Sequence, residues 1–203
     1  MRKCLKRIGF CAFIACMVWV YMIAADKQTL RQELIRFHVV AASDAQEDQA
    51  LKLQVRDAVV SSLRRDMDQL TDTQQAKAYL QENLPKIEAL ANRVLRAAGS
   101  TDLAVASLKT EEFPTRCYDT FTLPAGVYDA LRITIGEGEG HNWWCVVFPA
   151  LCVGATVEEF EESAQCSGLS DGMITALSAD GDYEVRFFVL DAIGRLENFL
   201  HKE

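Results

Sequence analysis

Leu34-Ile35-Arg36-Phe37-His38-Val39-Val40-Ala41-Ala42-Ser43-Asp44 opens as a strand and stops at a turn. Ile35, Phe37 and Val39 fall on one face and Arg36, His38 and Val40 on the other, the period of two expected of a β-strand. Ser43 and Asp44 end it. Asp44 followed three residues later by Glu47 predicts a helix N-cap with a reciprocal acidic partner. Beyond it Leu51, Val55, Ala58, Val59, Leu63, Met67 and Leu70 recur at intervals of three and four, the apolar stripe of a long amphipathic helix. A second cap at Asp72 or Thr73 opens another helical run, with Ala76, Leu80, Leu84, Ile87, Ala91, Val94 and Leu95 on one side. Pro85 lies within that run and predicts two helices or one kinked helix, because proline lacks a donor and crowds the preceding turn. Gly99 is expected to close it as a C-terminal cap.

From Leu103 the apolar period changes from 3.6 to two. Segments 103–112, 116–123, 127–136 and 142–148 read as strands, separated by Phe113-Pro114, by Pro124-Ala125-Gly126 and by the glycine-rich turn Gly136 to Gly140. Links this short favour antiparallel neighbours. Residues 34–152 therefore read as an α+β domain: strand, helix, helix, then a mostly antiparallel strand meander, with the helices on one face of the sheet. Residues 153–203 are less patterned. They carry Glu158, Glu159, Glu161 and Glu162, a Ser/Gly-rich turn around Cys166 to Gly172, and a helical period from Tyr183 to His201; Gly154 to Gly181 reads as a solvated insertion or linker.

Upstream of the domain, Arg2, Lys3, Lys6 and Arg7 precede Ile8 to Ala25, eighteen residues without a charge. As a helix that run covers about 27 Å, close to the thickness of a bilayer's hydrocarbon core, and the flanking cations favour a cytoplasmic N-terminus. Residues 1–25 are thus expected to be a signal peptide or membrane anchor, 26–33 a polar connector, and the rest to work on the non-cytoplasmic side. Without the four leading cations, Lys plus Arg fall from 21 to 17 against 29 Asp plus Glu, leaving a formal charge of about −12. A surface so acidic argues against nucleic acid as a partner.

Seven cysteines divide into Cys4, Cys11 and Cys16 in the leader and Cys117, Cys145, Cys152 and Cys166 beyond it. The latter four allow three pairings, permitted by export, with buried free thiols as the alternative. Cys145 and Cys152, with six residues between them spanning Phe148-Pro149, form the best candidate pair. No spacing suggests zinc, and no cofactor is expected.

The most unusual stretch is Ile135-Gly136-Glu137-Gly138-Glu139-Gly140-His141-Asn142-Trp143-Trp144-Cys145. A phosphate loop is disfavoured by its two glutamates, and a metal set of Glu137, Glu139 and His141 by the flexibility of alternate residues in a turn. The plainer reading is a hairpin turn in which glycines supply positive φ. Trp143 and Trp144 must point to opposite faces of their strand, so one fills the core and the other is covered by another element or anchors a partner. An enzymatic alternative pairs Cys145 or Cys117 as nucleophile with His38 or His141 as base and Asn142 or Asp44 as orienter. No GxSxG elbow supports a serine nucleophile.

Two blocks resemble a known family. Ile35-Arg36-Phe37-His38-Val39-Val40-Ala41-Ala42-Ser43-Asp44, continuing through Glu47-Asp48-Gln49-Ala50-Leu51-Lys52-Leu53 and Val55-Arg56-Asp57-Ala58-Val59, resembles the opening of the stage II sporulation protein R family. Leu123-Pro124-Ala125-Gly126, Tyr128, Ala130-Leu131-Arg132, Ile135-Gly136-Glu137-Gly138, Asn142-Trp143-Trp144-Cys145-Val146, Phe148-Pro149 and Leu151-Cys152 resemble its second half. Ala42 departs from a common Asn and Ala150 from a common Pro. The resemblance implies a non-enzymatic signalling protein, made in the forespore and exported towards the mother cell. There it would activate the membrane-embedded aspartic protease that processes pro-sigma-E. On that reading His141, Asn142, Trp143 and Trp144, with Glu137 and Glu139 in the acidic turn, are the candidate partner-binding residues. An exported cysteine-dependent hydrolase and a cell-envelope binding module unrelated to sporulation are the alternatives.

Overall fold

The structure is a computed structural model describing residues 2–118, 120–151, 165, 174, 177, 178 and 185–201, without the side chains of 2–6, 20, 23, 24, 26, 27, 185–187 and 201. A first helix, α1 (Arg2–Glu33), runs almost directly into β1 (Ile35–Val40). Two helices follow, α2 (Gln46–Met67) and α3 (Thr73–Ala97), and then β2 (Ala104–Phe113), the short β3 (Arg116–Cys117) and β4 (Thr122–Leu123), β5 (Gly126–Ile135) and β6 (Asn142–Phe148). The C-terminal helix, α4, spans Val185–His201.

Several local expectations hold. Asp72 caps α3, its side chain accepting from the Gln75 amide at 2.8 Å. Gly99 ends that helix at φ 80°, with the Ser100 amide donating to the Leu95 carbonyl at 3.0 Å. Pro85 does not split the run: α3 is one helix with the proline inside it. Asp44 is not the cap of α2. Ala45 occupies that position without a side-chain bond, and Asp44 is engaged elsewhere. The expected strand 116–123 is instead two short strands, β3 and β4, paired with each other.

The meander is where sequence and structure part. The four-stranded sheet has the order β2-β5-β1-β6, so β1 lies between β5 and β6, parallel to the first and antiparallel to the second. All six residues of β1 are buried. The turn Gly136 to Gly140 therefore joins strands that are not neighbours and is no hairpin. It steps over the end of β1, donating from the Glu139 and Gly140 amides to the carbonyls of Ala42 and Ala41 at 3.2 and 3.0 Å. Gly136 and Gly138 supply the expected positive φ, 57° and 69°.

Nor do helices cover only one face. On one side α2 and α3 pack Val55, Val59, Leu63, Leu80, Ile87 and Leu95 against Phe37, Val39, Leu131, Ile133 and Cys145. On the other, Leu30 and Leu34 beside β1, Leu190 of α4, and Phe121 and Leu123 gather around Phe113, Tyr128, Ala130 and Val146. The β2 edge is blunted by α3: Asn92 bonds both the Ala104 amide and carbonyl, and Glu88 accepts from the Ala106 amide. Among the described residues no helix is long and apolar enough to cross a membrane. The uncharged run Ile8 to Ala25 includes Val20, Ile23 and Ala24, whose side chains are outside the described set.

Helix α4 docks through a close backbone approach at Gly194, where an added Cβ would sit 1.6 Å from the Ala125 carbonyl oxygen. A backbone oxygen cannot move aside as a side chain can. Gly194→Ala is therefore expected to cost about 1–3 kcal/mol of stability, read as a lower urea midpoint. An unchanged midpoint would contradict the docking.

Candidate functional site

The end of β1, the first turns of α2 and the loop before β6 converge at one corner of the sheet. Asp44, freed from capping, accepts from the His141 amide at 2.7 Å, and its Oδ1 lies 2.5 Å from His141 Nδ1. The ring and backbone bonds from His141 hold the Asp44 carboxyl below its ordinary value. Lys52, only 6% exposed, donates to the His141 carbonyl at 3.0 Å and to Gln49 at 2.5 Å. Burial pushes its ammonium below the usual lysine range. One turn further along α2, the Arg56 guanidinium sits 4.8 Å over the Trp143 ring and pairs with Asp57 at 2.6 Å.

These contacts dispose of the candidate residues unequally. Glu137 and Glu139 are exposed at the tip, His141 is exposed but pinned, Asn142 pairs with Val40, and Trp143 is half-buried, edge-to-face with Phe37 at 5.9 Å between ring centroids. Trp144 belongs to the opposite face, as the strand alternation requires. It stacks on His38 at 4.9 Å with the rings parallel to within 2°, and Arg116 lies 5.0 Å over it. The structure thus brings Glu137, Glu139, His141 and Trp143 to one corner and leaves out Trp144 and, by the same alternation, Asn142, which opens β6 on the Trp144 face. In the sequence Lys52 and Arg56 stand out only as members of the first family-like block, where Arg56, like Asp44 and Asp57, reads equally well as a cap or surface ion pair; that the two back the corner is decided by the fold.

Beneath Trp144 lies a buried polar cluster. Arg36 is fully buried, with Phe113 and Tyr128 4.5 and 5.2 Å from its guanidinium, and it donates to the Tyr118 hydroxyl at 3.1 Å. Its Nε and Nη1 have no hydrogen-bond partner among the described residues. His38 Nε2 lies 2.7 Å from Glu111 Oε2; an ionised carboxylate only accepts, so that nitrogen carries the proton. Burial pushes the Glu111 carboxyl up, but the bond from His38 and the charges of His38 and Arg132 outweigh it and hold the group below its ordinary value.

The enzymatic alternative gains no convergent pair here. Cys145 is paired with Phe37 on the α2/α3 face, whereas His38 is paired with Trp144 on the other face. His141 is committed to Asp44, and Cys117 is exposed on β3. Among the described residues no group of three His, Cys, Asp or Glu could hold a metal ion. The Cys145 thiol is buried and lies 3.6 Å from the Val146 carbonyl; Cys152, the other half of the expected disulfide, lies outside the described residues.

The two sequence blocks flanking α3 thus meet in space, as β1 between β5 and β6 and again as Asp44 against His141. The same span is matched by a family model, stage II sporulation protein R, over residues 31–158. The chain belongs to the stage II sporulation protein R family. A relative, Stage II sporulation protein R of Bacillus subtilis (strain 168), is 30% identical over 182 residues, covering 81% of each chain. No solved structure matches. Membership places the protein in sporulation, in a family named for a developmental stage and not for a reaction. The matched span covers both the corner and the Arg36–His38 cluster, and stops short of α4.

Two titrations follow. Glu111 has a depressed native value, so its stabilisation is complete above about pH 4.5 and is lost as pH falls through the lower native value. Glu111→Ala, which strips His38 of its acceptor, is expected to cost about 1–3 kcal/mol at neutral pH and to flatten the acid limb of a Tm-against-pH curve. Asp44 follows the same sign from 3.8 downwards. Protection of the His141 amide from hydrogen exchange should be lost in Asp44→Ala at neutral pH, with little change in Tm. Undiminished protection would mean that the Asp44 contact does not hold the loop.

Proposed function

We propose that this protein is an exported signal of endospore formation that activates the membrane aspartic protease responsible for processing pro-sigma-E. The observation that carries the proposal is family membership across residues 31–158 together with a sporulation relative aligned over 81% of the chain. Two features support the export half. Four cations precede the uncharged run Ile8 to Ala25. Ile8, Phe10, Phe13, Ile14, Met17, Val18 and Trp19 of α1 are also exposed to surroundings that a folded domain does not provide.

The surface we assign to the protease is the corner carrying Glu137, Glu139, His141 and Trp143, backed by Arg56. It combines a half-buried tryptophan with an arginine on its face, the residue types that dominate binding hot spots, and a charged rim that orients a partner. Lys52 and Asp44 hold the loop in one shape, so little ordering is needed on binding. Activation then requires the corner to bind the active form of the protease more tightly than the inactive one.

Deleting the gene in the sporulating host is expected to stop pro-sigma-E cleavage, and wild-type complementation to restore it. Glu137→Lys with Glu139→Lys, both exposed and free of folding cost, is expected to weaken activation roughly 10-fold or more at unchanged Tm. Trp143→Ala should abolish it. Normal processing in the deletion strain would sink the proposal, and full activity of the charge-reversed protein would move the contact away from this corner.

A further inference from the structure

The domain's exposed apolar surface is not scattered. Of the sixteen large hydrophobic side chains exposed among the described residues, nine lie on α1, between Ile8 and Met22, and four on α4; Leu53, Leu103 and Val105 make up the rest. On α4 those four are Phe188, Leu196, Phe199 and Leu200, each 59–66% exposed. With the exposed Ala192 they follow the i, i+4, i+8 and i+11 or i+12 spacing that makes a single stripe. The opposite face of the same helix is already occupied. Leu190 and Gly194 pack on the domain, Asp191 accepts from the Ala125 amide, and Asn198 donates to the Phe113 carbonyl. A helix apolar on both sides needs a second apolar surrounding.

Helices α1 and α4 are also joined to each other. Leu30, Leu34 and Leu190 share one core cluster, and Arg31 pairs with Glu197 at 2.9 Å. Arg31 is six residues past Ala25, where the uncharged run ends, a rise of about 9 Å along the helix. One headgroup layer of a bilayer is about 5–8 Å deep. If α1 is seated in the membrane through Ile8 to Ala25, Arg31 and its partner Glu197 therefore stand at the outer margin of the headgroup layer, within a side chain's reach of it. Arg195 is largely exposed on that side and held by Asp191 at 2.7 Å, placed to reach phosphates from the margin of an apolar stripe.

We propose that the outer stripe of α4, Phe188, Leu196, Phe199 and Leu200, lies against the bilayer surface beside the emerging α1. The domain then has two attachments to the lipid, a helix through it and a helix on it, which fix its orientation and turn one particular side towards membrane-embedded partners. The inference rests on the reading of α1 as a membrane segment, and the test separates the two.

The full-length protein is reconstituted into vesicles of phosphatidylglycerol and phosphatidylcholine with a photoreactive phenylalanine analogue in place of Phe13, Phe199 or the buried Phe113. Lipid adducts are expected at positions 13 and 199 and not at 113. Adducts at 13 but none at 199 would overturn the seat of α4 and leave the anchor standing. Adducts at 199 without any at 13 would overturn the anchor and leave α4 on the lipid. Capture of a second copy of the chain at 199, in place of lipid, would overturn the inference by assigning the stripe to self-association.

Discussion

The structure depends on the insertion of one six-residue strand. β1 is bonded along both edges, to β5 in parallel and to β6 antiparallel. It separates two strands that are close in sequence, so the connection between them must climb over its end. That climb sets Gly136 to His141 against Ala41 to Asp44, and the corner we assign to the partner exists because of it. A strand bonded on both sides also has no solvent face to spare unless one side of the sheet is left bare, and here neither is.

Covering both faces brings a cost on the side that carries Arg36 and His38. Removing a guanidinium from water is expensive unless its surroundings replace the lost hydration. The protein does this mainly with aromatic rings, Phe113 and Tyr128 against Arg36 and Trp144 against His38, and with Tyr118 and Glu111 as the hydrogen-bonding groups. The adjacent tryptophans express the same division. Trp143 serves the helix-covered core and ends under Arg56, while Trp144 closes the polar cluster under Arg116.

Much of the local structure was legible because it is written in period and punctuation. The alternation of β1, the apolar stripes of α2 and α3, the Asp72 cap, the left-handed Gly99 and the opposed tryptophans all depend on residues within a few positions of each other. The readings that failed needed distant partners. Asp44 has the spacing of a helix cap, but an acceptor goes to the best-placed donors, and here those are the amide and ring of His141, while Ala45 takes the cap position. Pro85 leaves two helices or one kinked helix open, and the single helix is retained because one lost hydrogen bond is outweighed when Leu80, Ile87, Ala91 and Leu95 on either side are all buried against the sheet. The glycine turn has the composition of a hairpin, but composition fixes only the φ angles and not which strands the turn connects.

Sequence alone therefore determined the kinds of element, the polarity of each face, the acidic balance beyond a cationic and apolar N-terminus, and the resemblance that family membership bears out. These follow from local backbone preference and from spacing along the chain. Tertiary structure alone decided that β1 enters between β5 and β6, that Arg36 and His38 are buried, and that Asp44, Lys52, Arg56, His141 and Trp143 share one corner. Strand order is set by which edges find complementary hydrogen bonds and which faces can be covered, and those are contacts between residues more than a hundred positions apart that no short-range pattern records.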